Sequence, residues 1–387
     1  MGQLGGRQIA RAQCPVAGPS LFLPKYWSGV KWGDWVESAT DVPFPPLTDE
    51  VSLNLSLPNF VPHWLLRNGH FQTLAAAYLD GRLPPDRAGR HLVTLADGDR
   101  IVLHDDCPES WNPGDQAALL IHGLAGDHRS PYLRRVAHRL NLHGVRTFRM
   151  DMRSCGAGMA LAKLPYHSGR SDDARAALRE IVRQCPGSGI AALGFSLGGS
   201  VLLKLAGECP ALNPPELESV LAVCPPVDLA FCVERLGDGL SRFYDRYFLT
   251  LLMNHVAKWR TLVPGVPDPS IPRPPRRIEE FDDQFTGPLC GFGTGANYYR
   301  ETSAWQFVPG IRVPTLILGA NDDPLVGIES LRRLKLPDSV RLHTTPGGGH
   351  LGFRGQGCGD PDWSWMDWRA VDWVLQPRQK QVIMRAA

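Results

Sequence analysis

Residues 193–208, LGFSLGGSVLLKLAGE, decide how this chain is read. An apolar run, GIAALGF (189–195), ends in Gly194-Phe195-Ser196-Leu197-Gly198, and a helix-forming segment follows. G-x-S-x-G at a strand-to-helix junction holds a serine on a sharp, strained turn. Side chains two positions before or after it would meet neighbouring backbone, and Gly194, Gly198 and Gly199 provide that clearance. The helix that follows aims its N-terminus at the serine, which favours negative charge there. The same pentapeptide also fits an ordinary tight turn. Ser196 is a nucleophile only if the rest of the chain supplies a base, an acid and an oxyanion site.

The surrounding sequence places the turn in an alternating pattern. HLVTLADGDRIVLHDD (91–106) reads as a hairpin about Asp97-Gly98. Strands are expected at 117–123, 145–151, 189–195, 218–226, 313–320 and 339–346. Helices are expected at 130–144 and 172–185, the second with acidic residues in its first turn. Strands and helices in alternation imply an α/β fold with a mostly parallel sheet covered on both faces. The aromatic, charged and proline-rich segment 228–308 interrupts the alternation and is expected to be a cap inserted at the sheet's carboxyl edge. The expected organisation is a leader or arm at 1–60, partly disordered, core at 61–227, cap at 228–308, core at 309–376 and a tail at 377–387.

A serine hydroxyl needs a base to attack at neutral pH. Of twelve histidines, His350 alone lies in a glycine-rich loop, TTPGGGHLGF, just past the last strand. The acid comes from ANDDPLV, where the common strand-end pattern Asp-Pro-x-Val favours Asp323. Asp322 is the neighbour that caps or orients that loop, and Asp228 in CPPVDLA is a weaker candidate. Ser196, Asp323, His350 is the chain order of a nucleophile-elbow triad. The oxyanion needs two amides. Leu197 follows the serine, and Leu124 lies in the loop after AALLI, with Gly123 opening the backbone and His122 orienting the loop.

Composition narrows the function further. Forty-one Lys and Arg against 39 Asp and Glu give a net charge of +2, without the basic footprint of a nucleic-acid binder. A 43% hydrophobic content allows a large core. Nine scattered cysteines form no CxxC pair, which suits a reduced, cytoplasmic protein without a cysteine metal site. No histidine–carboxylate group has ligand spacing, so no metal or other cofactor is expected. No apolar run approaches a spanning helix, which leaves peripheral membrane contact open. The YHSG stretch at 166–169 is read as structural or pocket-lining, and Phe243, Tyr244, Tyr247 and Phe248 as suiting an acyl chain or, equally often at that spacing, simple core.

Further stretches carry a family resemblance from about residue 60 to 375. NGHFQTL (68–74) is similar to an Asn-Pro-His-Leu-Gln-Thr motif, and HGLAGDHRSPYLRRVAHRL to a His-Gly-Leu-x-Gly…Ser-Pro-Tyr segment. MDMRSCGAG is similar to an Asn-Phe-Arg-Gly-Cys-Gly turn, with Asp151, Met152 and Ser154 departing from it as Gly69 departs from the first motif. YHSGRSDDARAAL and EEFDDQFTGPLCGFGTGANYYRETSA match a Tyr-His-Ser-Gly element and a cap signature. Together these resemble the YheT-like family of α/β-hydrolases, the branch with the mammalian ABHD-type lipases. The resemblance implies an α/β-hydrolase core with a cap, and esterase or acylglycerol-lipase chemistry without a cofactor. The rival readings are an acyltransferase using the same acyl-enzyme and a lipid-binding protein on a hydrolase scaffold.

Overall fold

The computed structural model describes residues 57–78, 83, 85–356 and 359–376. The expected leader, apart from its last four residues, and the expected tail lie outside these. In chain order the elements begin with α1 (Gly69–Tyr78), β1 (Gly89–Thr94), β2 (Arg100–Asp106), β3 (Ala117–Ile121), α2 (Pro131–Leu142) and β4 (Arg146–Asp151). They continue with α3 (Ser171–Gln184), β5 (Ile190–Phe195), α4 (Leu197–Glu208) and β6 (Leu217–Val223). After β6 come α5 (Leu229–Leu236), α6 (Arg242–Leu262), α7 (Ile278–Phe281), α8 (Gly287–Leu289) and α9 (Gly295–Thr302). The chain then returns through β7 (Thr315–Ala320), α10 (Ile328–Arg332), β8 (Val340–Thr345) and α11 (Trp365–Leu375).

The strands form one eight-stranded sheet in the order β1-β2-β4-β3-β5-β6-β7-β8. β1 and β2 form the expected hairpin, β2 pairs antiparallel with β4, and every later pairing is parallel. Alternate residues of a strand face opposite sides of a sheet. Accordingly Ala117, Leu119 and Ile121 of β3 join one apolar cluster with α3 and α4, while Ala118 and Leu120 join another with α2 and α11. All five are fully buried, as in a sheet covered on both faces. Each large aliphatic side chain so buried contributes roughly 1.5–3 kcal/mol. The charges follow the helix dipole too: α3 starts with Asp172 and Asp173 and has Arg183 in its last turn.

The segment between β6 and β7 forms helices with an apolar cluster of their own, running from Leu229 to Tyr299 and taking in Leu325 and Val326 from the loop after β7. Ala304, Val308 and Ile311 instead pack into the sheet's cluster, so the inserted helices end near Thr302 in packing terms. Trp259 of α6 is fully buried and its indole N–H donates to the Ala162 carbonyl 3.0 Å away, fastening the insertion to the core. Among the described residues six cysteines are free thiols, four of them buried in the manner of small apolar side chains. Among the described residues no helix is long and apolar enough to cross a membrane.

Candidate active site

Ser196 stands between β5 and α4 with φ 52° and ψ −120°, outside the region a residue with a side chain normally occupies. The neighbouring glycines tolerate this because nothing else fits. A Cβ on Gly194 would lie 2.3 Å from the Gly198 carbonyl oxygen, and one on Gly198 would lie 2.5 Å from that of Ile121. The Ser196 N–H donates to the Val223 carbonyl at 2.8 Å, which ties the turn to the end of β6. Strain of this kind, on the order of 1–3 kcal/mol, persists only where the surroundings over-determine it.

The three residues expected to act together are brought together. His350 Nε2 lies 2.9 Å from Ser196 Oγ, and His350 Nδ1 lies 2.9 Å from Asp323 Oδ2. Asp323 Oδ1 accepts backbone N–H bonds from Leu325 and Val326 at 2.9 and 3.1 Å. Burial works to raise this carboxyl, but the His350 charge and hydrogen bond and the two amides outweigh it and hold Asp323 below the ordinary carboxylate range. Asp322 faces elsewhere. Its Oδ1 accepts the Gly349 N–H at 2.8 Å, so it fixes the loop that carries His350, and burial pushes its carboxyl up. Asp228 caps α5 by accepting the Phe231 N–H and takes no part.

The His350 loop is also clasped from α1. Thr73 Oγ accepts the His350 N–H at 2.8 Å while donating to the Gly69 carbonyl at 2.7 Å. Gln72 Oε1 accepts the Arg354 N–H at 2.7 Å, and its amide donates to the Leu66 and Arg354 carbonyls. Sequence reasoning matched the NGHFQTL motif without its mechanics. The signal that could have found them is a polar Gln-Thr pair inside an otherwise apolar helical run.

The loop after β3 turns the Leu124 amide away from the bonds its neighbours make. The Gly123 N–H donates to the Tyr132 hydroxyl and the Ala125 N–H to the Tyr166 hydroxyl, both at 2.9 Å. Between them, the Leu124 N–H meets no acceptor among the described residues, and the same holds for the Leu197 N–H at the start of α4. Both residues line the cavity that Ser196 and His350 open onto. His122 orients this loop as expected. Its Nε2 accepts the Met152 N–H at 3.3 Å, which places the proton on Nδ1, 2.8 Å from the Gly123 carbonyl, and burial lowers its basicity.

The cavity, about 130 Å³, is walled mainly by apolar side chains such as Leu229, Val233, Leu252, Phe281 and Phe285 of the insertion. Of the four aromatic residues picked from α6, only Phe248 reaches it; Phe243 and Tyr247 are exposed, and Tyr244 stacks on His70 at 5.6 Å. The YHSG stretch is structural at Ser168, whose hydroxyl bonds Tyr298 and Thr302, and lines the cavity at Tyr166 and His167.

A second histidine–carboxylate group forms from residues distant in sequence. His104 Nε2 is 2.8 Å from Asp151 Oδ2, His128 Nδ1 is 2.9 Å from both Asp151 oxygens, and the two imidazoles stack at 3.4 Å. The three donors are close enough to share one ion. However, the carboxylate also accepts the backbone N–H of His128 at 2.7 Å and of Ala157 at 2.8 Å. Ring planes 8° from parallel do not converge their lone pairs on one point. The group fits a hydrogen-bonded anchor for the loop bearing Leu124 better than a metal centre.

The alpha/beta hydrolase fold family matches residues 119–354. YheT of Escherichia coli (strain K12) is 31% identical over 328 residues, covering 82% of this chain and 94% of that protein. The Mus musculus phospholipase ABHD3 is 26% identical over 296 residues, 73% of this chain and 70% of its own. A Saccharomyces cerevisiae monoacylglycerol lipase is 28% identical over 246 residues, 61% of this chain and 54% of its own. The chain therefore belongs to the α/β-hydrolase family, in the YheT-like branch of carboxylic ester hydrolases.

Proposed function

We propose that the protein is a serine hydrolase that cleaves carboxylic esters of short-chain or acylglycerol type through Ser196, His350 and Asp323. The observation that carries this reading is the continuous hydrogen-bonded line from Asp323 through His350 to Ser196 at the wall of an apolar cavity. His350 Nε2 takes the Ser196 proton as Oγ bonds to the acyl carbon. The carbonyl oxygen, now negative, is held by the Leu124 and Leu197 amides. The tetrahedral intermediate collapses, the ester C–O bond breaks, and the alcohol leaves with the proton from His350. Water then attacks the acyl-enzyme by the same steps, releasing the acid. Asp323 keeps the imidazole in the Nδ1–H tautomer and stabilises the imidazolium.

The similar proteins named as a monoacylglycerol lipase and a phospholipase support an ester of a lipid as substrate. No cofactor enters these steps. The test is hydrolysis of p-nitrophenyl esters from acetate to palmitate and of monoacylglycerols, with and without added alcohol. Ser196→Ala is expected to lose kcat by roughly 10³–10⁶. Acyl transfer to the added alcohol outpacing hydrolysis would replace hydrolase with acyltransferase. Equal rates for wild type and Ser196→Ala would remove the nucleophile.

A further inference from the structure

One group in the cavity has no part in these steps. Asp282 is nearly fully buried and lines the same cavity as Ser196 and His350. It begins a π-helical turn, Asp282–Thr286, wedged between α7 and α8. Asp282, Phe285 and Thr286 of that turn all line the cavity. Single π turns inside helices are rare and concentrate at functional sites.

The carboxyl is poorly compensated. Its Oδ2 accepts the Tyr299 hydroxyl at 2.8 Å, and the Thr286 hydroxyl lies beside it. A carboxyl offers about four acceptor sites, so two neutral hydroxyls leave it with acceptor capacity to spare. Burial dominates these bonds and pushes the group up to about 6. A buried carboxyl without a cation costs stability that an apolar residue would not. Its neighbour Asp283 differs, because it accepts the Gly295 N–H and closes a loop.

Two imidazoles on the cavity wall are neutral. Burial pushes His255 down to about 4, and burial likewise holds His167 well below its ordinary value. His167 Nδ1 accepts the Gly169 N–H at 3.0 Å, so its proton sits on Nε2. An apolar cavity whose described lining holds one carboxyl, with acceptor capacity to spare, suits an uncharged hydroxyl that donates to it. The acyl group is the part that fits here, since it stays attached to Ser196 while the alcohol has to leave.

Resting on the ester-hydrolase reading above, we infer that Asp282 is a specificity-determining residue that receives a hydrogen bond from a hydroxyl carried on the acyl chain. The preferred substrates are then esters of hydroxylated fatty acids, not plain alkanoates. A site built to hydrogen-bond a substrate hydroxyl discriminates against the analogue that lacks it, because its own polar group is left unpaired.

The test uses p-nitrophenyl esters in pairs, hexanoate to dodecanoate, each with its ω-hydroxy counterpart. For at least one chain length the wild-type kcat/KM ratio of hydroxylated to plain ester is expected to reach about tenfold. Asp282→Leu is expected to bring that ratio to one or below, and Tyr299→Phe to alter it less. The ratio compares two substrates on one sample, so a partly unfolded variant does not obscure it. A wild-type ratio near one at every length, or a preference that survives Asp282→Leu, overturns the inference. If plain esters are still cleaved in a Ser196-dependent manner, the hydrolase reading stands without it. If no ester is cleaved, both fall together.

Discussion

Among the described residues, two buried histidine–aspartate groups stand at the sheet and differ in what surrounds them. At the end of β7 and β8, Asp323 holds His350, whose far nitrogen meets a serine hydroxyl at a cavity wall. Asp151, the last residue of β4, holds His104 of β2 and His128 of the loop after β3, which stack on each other and anchor that loop. In both, burial works to raise the carboxyl and imidazole contacts more than offset it, so both carboxyls titrate below their ordinary range. A buried aspartate with a histidine is therefore not a sign of catalysis. The difference is a hydroxyl on the second nitrogen, an open cavity and the two amides of Leu124 and Leu197. Asp282 completes the contrast as a carboxyl with only hydroxyl partners, and it moves the other way.

The comparison breaks most sharply at the proposed triad. Ser196→Ala or His350→Ala is expected to lower kcat by up to roughly 10⁶, with the melting temperature little changed. Asp323→Asn keeps the shape but disturbs the tautomer, and a fall of roughly 10⁴ in kcat is expected. At the second group the outcome reverses, with stability the larger effect. Asp151→Ala leaves two buried imidazoles and the His128 N–H without their acceptor, and a loss of about 3–5 kcal/mol in denaturant unfolding is expected. Any fall in kcat there comes through the Leu124 loop, and Asp151→Asn, which keeps an acceptor, should recover part of both.

The pH dependence separates the three carboxyls. Asp151 and Asp323 are lowered on folding, so their contribution is present above the ordinary value of 3.8 and lost as pH falls through their folded values. Asp282 is raised from 3.8 to about 6, so its contribution is present below 3.8 and lost as pH rises through about 6. Asp282→Asn is therefore expected to melt above wild type at about pH 8, by at most roughly 3 kcal/mol, and to show no such gain at about pH 3.5. This is the smallest effect, and its absence would mean the carboxyl is better solvated than its burial indicates.

The strand pattern, the turn that carries Ser196 and the loop that carries His350 are legible in sequence because each is local. Apolar runs mark strands, and Ser196 and His350 both stand in glycine-rich turns at strand ends. The proline after Asp322-Asp323 favours Asp323, and in the structure Asp323 meets His350 while Asp322 meets Gly349, a division that no local pattern carries. The Asp151 group was illegible because His104 lies 47 residues from Asp151, on a strand two pairings from β3. The aromatic run on α6 is legible only in part, since Phe248 alone of the four lines the cavity. Residues four apart share a helix face, and here the exposed pair is Phe243 and Tyr247, while Tyr244 and Phe248 turn inward, Tyr244 onto His70 and Phe248 to the cavity.

The most direct test is covalent labelling with a fluorophosphonate, which reports an activated serine independently of the natural ester. Tryptic mapping of the folded wild-type protein is predicted to find one adduct, on Ser196, and none in Ser196→Ala. His350→Ala should label far more slowly, while Asp151→Asn should still label at Ser196. A folded wild type that stays unlabelled, or a Ser196→Ala protein that labels equally, contradicts the assignment of Ser196 as the nucleophile.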